Sequence, residues 1–329
     1  MSGPSFQYSR AANVHDALVQ ASRPGAAYLA GGTDLLQLWK AGAIAPAEVI
    51  DISSLSLDQV EFSDGQLSLG ALARLSDVAS HPDVKRHHPL IASAILASAS
   101  GQIRNMATVG GNLLQRTRCA YFRTEGLACN KRIPGSGCGT LRGENRQAAL
   151  FGASTSCVAT HASDLAVALA ALGAEVEVLG AEGQRRLPLR DLYRLPAATP
   201  ERDTNLTAGE LVTRIHVPDA SRFAARSTYL KVRDRASFEF AVVSVAAALH
   251  IENGRIVEAG LAAGGVAPLP WRLTRSEAAL VGRAPGPQAI AAAAEIAVEH
   301  ARPLAHNGFK VALLRNAVIR ALQTIGGQP

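Results

Sequence analysis

Four cysteines, Cys119, Cys129, Cys138 and Cys157, fall within 39 residues, and the rest of the chain has none. Their spacing is C-x9-C-x8-C-x18-C. They stand beside Arg118, Asn130 and Gly137, in a polar stretch and not on the apolar strands and helices that keep inert thiols. Three chemistries are open to such a set: ordinary buried thiols or disulfides, a structural zinc ion, or a 4Fe–4S cluster. Structural zinc sites generally contain one cysteine pair with roughly two to four intervening residues, and no such pair is present. Four thiolates on a loop can ligate one four-iron cube, and cationic neighbours stabilise that anionic cluster. Gly135, Gly137 and Gly139 would let backbone N–H groups approach its sulfurs. Spacing alone does not exclude zinc.

The same stretch is strongly basic. Residues 104–146 carry Arg104, Arg116, Arg118, Arg123, Lys131, Arg132, Arg142 and Arg146 against Glu125 and Glu144. The expectation is an anionic group close by. Two glycine loops are the second candidate chemistry. Leu29-Ala30-Gly31-Gly32-Thr33-Asp34-Leu35 follows a short apolar segment and precedes a helical one. Ala107-Thr108-Val109-Gly110-Gly111-Asn112 repeats the pattern of small residues, a hydroxyl and a polar side chain. Glycines there expose consecutive N–H groups as an anion-binding concavity, and a helix N-terminus adds a favourable dipole for a diphosphate. The plain alternative is a tight turn with Thr33 or Asp34 as helix cap. Neither loop is a G-x-G-x-x-G fingerprint or a P-loop. No hydrolytic triad, His-Glu-x-x-His or paired-carboxylate motif is evident. His87 and His88 precede Pro89 and read as a solvated pair in a loop. These residues are suited to holding cofactors more than to acid–base work on a substrate.

The positioning elements follow from periodicity. Helices are expected at 14–22, 35–41, 90–100 and 164–172, with strands at 27–30, 48–52, 66–72, 175–179 and 210–217. Residues 101–113 read as irregular, and 115–157 as a long loop of the kind that usually has a function. Residues 218–221 look like a boundary. Strands at 227–233, 242–251 and 256–263 then precede helices at 276–281, 288–300 and 308–322, the order of a separate α+β domain. With 48% apolar and 18% charged residues there is ample material for a core. Aromatics at 5% argue against a nucleic-acid binder built on stacking platforms. No apolar run reaches membrane-spanning length.

The loops resemble those of the FAD-binding (medium) subunits of the xanthine dehydrogenase and carbon monoxide dehydrogenase family. The similarity runs through residues 30–35, 103–112, 161–165, 211–218, 229–232 and 259–272. The cysteine stretch, with Arg118-Cys119-Ala120-Tyr121-Phe122-Arg123, Cys129-Asn130-Lys131-Arg132 and Pro134-Gly135-Ser136-Gly137-Cys138, resembles the 4Fe–4S-carrying insertion of bacterial periplasmic-type aldehyde oxidoreductases. It is less similar to the extra-cluster subunit of 4-hydroxybenzoyl-CoA reductase.

The resemblance implies an α+β fold: a two-subdomain FAD-binding unit of the vanillyl-alcohol oxidase/PCMH type and a C-terminal domain of the CO dehydrogenase flavoprotein type. It implies domains at 1–217 (subdomains about 1–60 and 61–217, insertion 115–157) and 218–329. Leu29, Ala30, Gly31, Gly32, Thr33, Asp34 and Leu35 would wrap the FAD diphosphate, with Ala107, Thr108, Gly111, Asn112 and Leu114 as the second wall. Asp164 and His161 would contact FAD, Val212 and Lys231 would lie by the flavin, and Tyr193 would approach its ring. Cys119, Cys129, Cys138 and Cys157 would ligate the cluster.

The implied assembly is a heterotrimer. A large molybdenum-cofactor subunit oxidises an aldehyde, a small subunit relays electrons through two 2Fe–2S clusters, and this chain passes them through FAD to an external acceptor. Residues 1–10 lack a signal-peptide layout, so periplasmic export is expected to ride on a partner's signal, the other expectation being a cytoplasmic location. The competing readings are the FAD subunit of another molybdenum hydroxylase (xanthine, CO or hydroxybenzoyl-CoA type), a self-contained flavin oxidoreductase, and a zinc-stabilised basic module for nucleic acid.

Overall fold

A computed structural model describes residues 6–326. Its strands form three sheets, and each sheet delivers one wall of the candidate site. The first contains β1 (Gln7–Arg10), β2 (Ala26–Leu29) and β3 (Glu48–Asp51) in the order β1-β3-β2, all parallel. The crossover from β1 to β2 is helix Val14–Ala21, started by Asn13, whose side chain accepts from the Asp16 N–H at 2.9 Å. β2 runs straight into Gly31-Gly32, and helix Leu35–Lys40 follows.

The second sheet is antiparallel. It comprises β4 (Val60–Ser63), β5 (Gln66–Gly70), β6 (Glu175–Gly180), β7 (Gly183–Pro188) and β8 (Leu211–Val217), in the order β4-β5-β8-β6-β7. The edge strands β4 and β7 lie outside the strands expected from periodicity. β7 reads Gly-Gln-Arg-Arg-Leu-Pro and is largely exposed, so charge protects an edge and conceals the strand signal.

The third sheet contains β9 (Ser227–Val232), β10 (Val243–Glu252), β11 (Arg255–Gly264) and β12 (Trp271–Arg272), antiparallel in the order β12-β11-β10-β9. Successive side chains of a strand point to opposite faces, and here both faces are buried. Ala246 and Ala248 pack with Leu165, Leu169 and Ala262, whereas Val243, Val245 and Leu249 pack beneath helices Thr274–Leu280, Pro287–Val298 and Phe309–Gly326. Helix Asp164–Ala171, with every residue buried, lies between the second and third sheets.

Three expectations change. The helix expected from residue 90 ends at Ala97, where Ser98 turns extended, and Ala99 after it is left-handed at φ 47°. Residues 101–113 are not irregular: helices Gly101–Arg104 and Val109–Leu113 form there, capped by Ser100 and Thr108. His87 and His88 are not a solvated pair. His88 is buried, Phe62 stacks on the His87 ring at 4.4 Å, and burial lowers the His88 pKa and favours the neutral ring.

Candidate functional site

The two glycine loops abut. A Cβ on Gly31 would drive into the carbonyl of Met106, so only glycine lets the loops approach this closely. Gly32 turns left-handed at φ 69°. Thr108 caps its helix by accepting from the Gly111 N–H at 3.2 Å, and Gly110 donates to Ala71 O at 2.8 Å, which ties the second loop to the end of β5.

The loops wall a cavity of about 250 Å³ lined by Ala30, Gly31, Gly32, Thr33, Asp34, Leu35, Thr108, Gly111, Leu114 and Val212. Thr33, Asp34 and Gly111 also line an adjoining cavity of about 190 Å³, with Ala107, Asn112, Asp164 and Lys231. The structure therefore brings together, in one cleft, most of the residues singled out for cofactor binding. Leu29 stays behind as the last residue of β2. His161 and Tyr193 lie behind the second loop. The Tyr193 hydroxyl donates to Leu113 O at 3.1 Å, and His161 packs edge-on against Tyr193 at 4.7 Å. The hydroxyl of Tyr193 is thus committed to the backbone. His161 Nε2 lies 3.3 Å from Leu113 O, Nδ1 accepts from the Ser163 N–H, and burial brings its pKa down to about 4, so the ring is neutral.

Asp164 and Lys231 form a buried ion pair at 2.8 Å, and Tyr229 donates to the other Asp164 oxygen at 2.6 Å. Burial pushes the Asp164 carboxyl upward, and the ammonium of Lys231 opposes that shift. Lys231 reaches across from β9 and also donates to Ala97 O at 3.1 Å. A strand of the third sheet and a helix on the second thus meet at one charge pair on the cleft wall.

The basic stretch is largely satisfied from within the chain. Asp34 receives Arg118 at 2.8 Å, Arg123 at 2.7 Å and the Arg116 N–H at 2.8 Å. Asp203 receives Arg116 at 2.7 Å and the buried Lys131. Arg132 is spent on the carbonyls of Tyr121, Phe122, Thr124 and Leu127, and Arg146 pairs with Asp234 at 3.0 Å. The expected anion is thus largely the chain's own carboxylates, brought in from distant sequence.

All four cysteines are free thiols, and all four line one small cavity with Thr140, Asn130 and Lys131. Cys129 and Cys138 face each other across an antiparallel bridge, and Cys119 Sγ lies 3.3 Å from Thr140 Oγ1. Burial raises the Cys157 thiol to about 11. Among the described residues, no three His, Cys, Asp or Glu side chains converge as a single-ion site. A zinc ion draws its thiolates to about 2.3 Å from one point, whereas a cube binds each thiolate to a different iron and keeps them farther apart. Cys119 also lines a third cavity of about 290 Å³ that reaches His161 and Asp164, so the cysteine cavity and the glycine cleft share a neighbour. Periodicity did not single out Phe240 or Gln115 for this region. Both line cleft cavities, and neither carries a local sequence signal.

Known proteins resemble the chain throughout. Residues 4–220 match the family described as FAD binding domain in molybdopterin dehydrogenase, and residues 228–325 match the CO dehydrogenase flavoprotein C-terminal domain. The chain is 44% identical over 322 residues to the aldehyde oxidoreductase FAD-binding subunit PaoB of Escherichia coli (strain K12), covering 97% of each. It is 30% identical to the glyceraldehyde dehydrogenase medium chain of Sulfolobus acidocaldarius, over 85% of this chain and 82% of that one. The fold matches a chain of carbon monoxide dehydrogenase from Hydrogenophaga pseudoflava with a TM-score of 0.76 at 25% identity, covering 99% and 98% of the two chains. It matches a chain of quinoline 2-oxidoreductase from Pseudomonas putida 86 with a TM-score of 0.75 at 24% identity, covering 99% and 98%. With both of its portions matched and a full-length relative at this identity, the chain belongs to the FAD-binding medium subunits of the molybdenum hydroxylase family and is an oxidoreductase subunit.

Proposed function

We propose that this chain is the FAD- and 4Fe–4S-binding electron-transfer subunit of a heterotrimeric molybdenum aldehyde oxidoreductase. The observation that carries the cluster reading is the convergence of Cys119, Cys129, Cys138 and Cys157 on one cavity beside the cleft. The name of the 44%-identical relative supports the aldehyde reading. The residues fit both groups. Gly31, Gly32 and Gly111 line the cleft without side chains, and four cysteines free of disulfides surround the cysteine cavity.

In this reading, residues 1–217 hold FAD, with the cysteine segment at 115–157, and residues 218–329 close the cleft. Ala30 to Leu35, with Ala107, Thr108, Gly111, Asn112 and Leu114, hold the diphosphate. Val212 packs against the cofactor. Asp164 and Lys231 present a fixed charge pair to it. Leu29 and His161 support the two loops from behind. FAD, when bound, supplies the redox chemistry, and the chain supplies orientation and field. Electrons arrive from a small 2Fe–2S subunit, after a large molybdenum-cofactor subunit has oxidised the substrate, and leave to an external acceptor. The likeness of the cysteine segment to periplasmic-type enzymes supports a periplasmic location by co-export with a signal-bearing partner.

The test is a visible spectrum and metal analysis of the purified chain. Flavin bands with a broad absorbance near 400 nm that bleaches on dithionite, and about four irons per chain, are expected for one bound cube. Stoichiometric zinc without iron would sink the cluster reading. Co-purification of the native complex identifies the partners, and fractionation of intact cells tests the location.

A further inference from the structure

We infer that Arg118, carried in by the cysteine segment, is a cofactor-binding residue that contacts the FAD diphosphate. Arg118 lines both the cavity bounded by Thr33, Gly111 and Asn112 and the cavity reached by Cys119. Its guanidinium is largely buried. Nη1 pairs with Asp34 at 2.8 Å, Nη2 donates to Gln115 Oε1 at 3.0 Å, and the Phe240 ring covers it at 4.7 Å. Nε, a further donor, is buried and has no partner in the protein. A buried donor left unpaired is unfavourable, so an acceptor from a ligand is the natural complement.

Charge points the same way. Asp34 is shared by Arg118 and Arg123, Lys231 is matched by Asp164, and Arg235 is matched by Glu239 at 3.3 Å. Arg233, also near Asp164, donates to Ala97 O at 3.3 Å. Two guanidiniums on one carboxylate leave a surplus positive charge beside two loops whose N–H groups suit an anion. A guanidinium is cationic at neutral pH. The planar fork of arginine matches phosphate oxygens.

This inference rests on FAD occupying the cleft. The full-length chain is stripped of flavin, then titrated with FAD or with lumiflavin, which lacks the diphosphate, and flavin fluorescence is followed. Arg118→Met should weaken FAD binding about tenfold or more, the size of one charge-assisted hydrogen bond, and leave lumiflavin unchanged. Arg123→Met removes the other guanidinium from Asp34 but lines neither cavity, and should bind FAD like the unmodified chain. Arg118→Lys preserves a cation for Asp34, and with it the fold, but lacks Nε–H. It should still lose about threefold, and it serves if Arg118→Met does not fold.

Unchanged FAD affinity in either Arg118 variant overturns the inference. So does an equal loss in Arg123→Met, which would place the effect in Asp34, or a parallel loss of lumiflavin, which would place it at the ring. An unmodified chain that binds no FAD would instead sink the reading of the cleft itself.

Discussion

Cysteine chemistry at 119, 129, 138 and 157 depends on residues that one 39-residue segment brings to a single cavity. Cys129→Ser should therefore remove most of the iron while FAD is largely kept, since the cleft is walled by other residues; unchanged iron content would count against Cys129 as a ligand. The buried pair at the cleft gives a second residue-scale expectation. Asp164→Asn removes the carboxylate charge that balances the buried Lys231 ammonium, and stranding one member of such a pair costs about 3–5 kcal/mol. A denaturant melt of the flavin-free chain measures it, and a loss under about 1 kcal/mol would show the pair to be dispensable. The sequence displayed the cysteines because their clustering is local. The partners of the basic stretch were invisible in it, because Asp34 and Asp203 lie about 80 positions or more from the arginines they hold.

Among elements, the glycine loops carry the most position-specific constraint. Gly31→Ala should displace the second loop and release FAD with the rest of the fold intact, because its Cβ meets backbone and not a side chain that could turn away. Full flavin content with unchanged circular dichroism would contradict this. Long apolar elements such as Asp164–Ala171 and β10 were legible from periodicity, since burial selects their residues directly. β7 was not, because an edge strand pairs through its backbone while its side chains stay polar. The helix Val109–Leu113 was hidden in another way. Its glycines argue for a turn, and the cap at Thr108 with packing against β5 overrides them.

At the scale of the molecule, the third sheet and its helices grip the far end of the cysteine segment. Lys310 is fully buried with its Nζ 3.3 Å from Gln147 O, 2.9 Å from Ala148 O and 2.5 Å from Gly265 O. Asn307 donates to Ala148 O at 3.0 Å, the Arg302 N–H to Leu150 O at 2.8 Å, and the Leu150 N–H to Val266 O at 2.7 Å. Burial, reinforced by Arg146, brings the Lys310 amine from 10.5 down to about 7. Between those values the unfolded chain holds the proton that the folded chain has shed, so this group's contribution to stability rises with pH across that window. Melting temperatures at pH 7, 8 and 9 should show that rise in the unmodified chain relative to Lys310→Met; parallel curves would contradict it.

The same clamp has a consequence for the order of events when the protein is made. Lys310 and Gln147 are 163 positions apart, so a ribosome releases the cysteine segment well before the helix Phe309–Gly326 that pins its far end exists. At chain synthesis rates of about 5–20 residues per second, the cysteines wait for many seconds in a half-anchored loop. Every residue lining the cysteine pocket is therefore made long before the segment's last anchor forms.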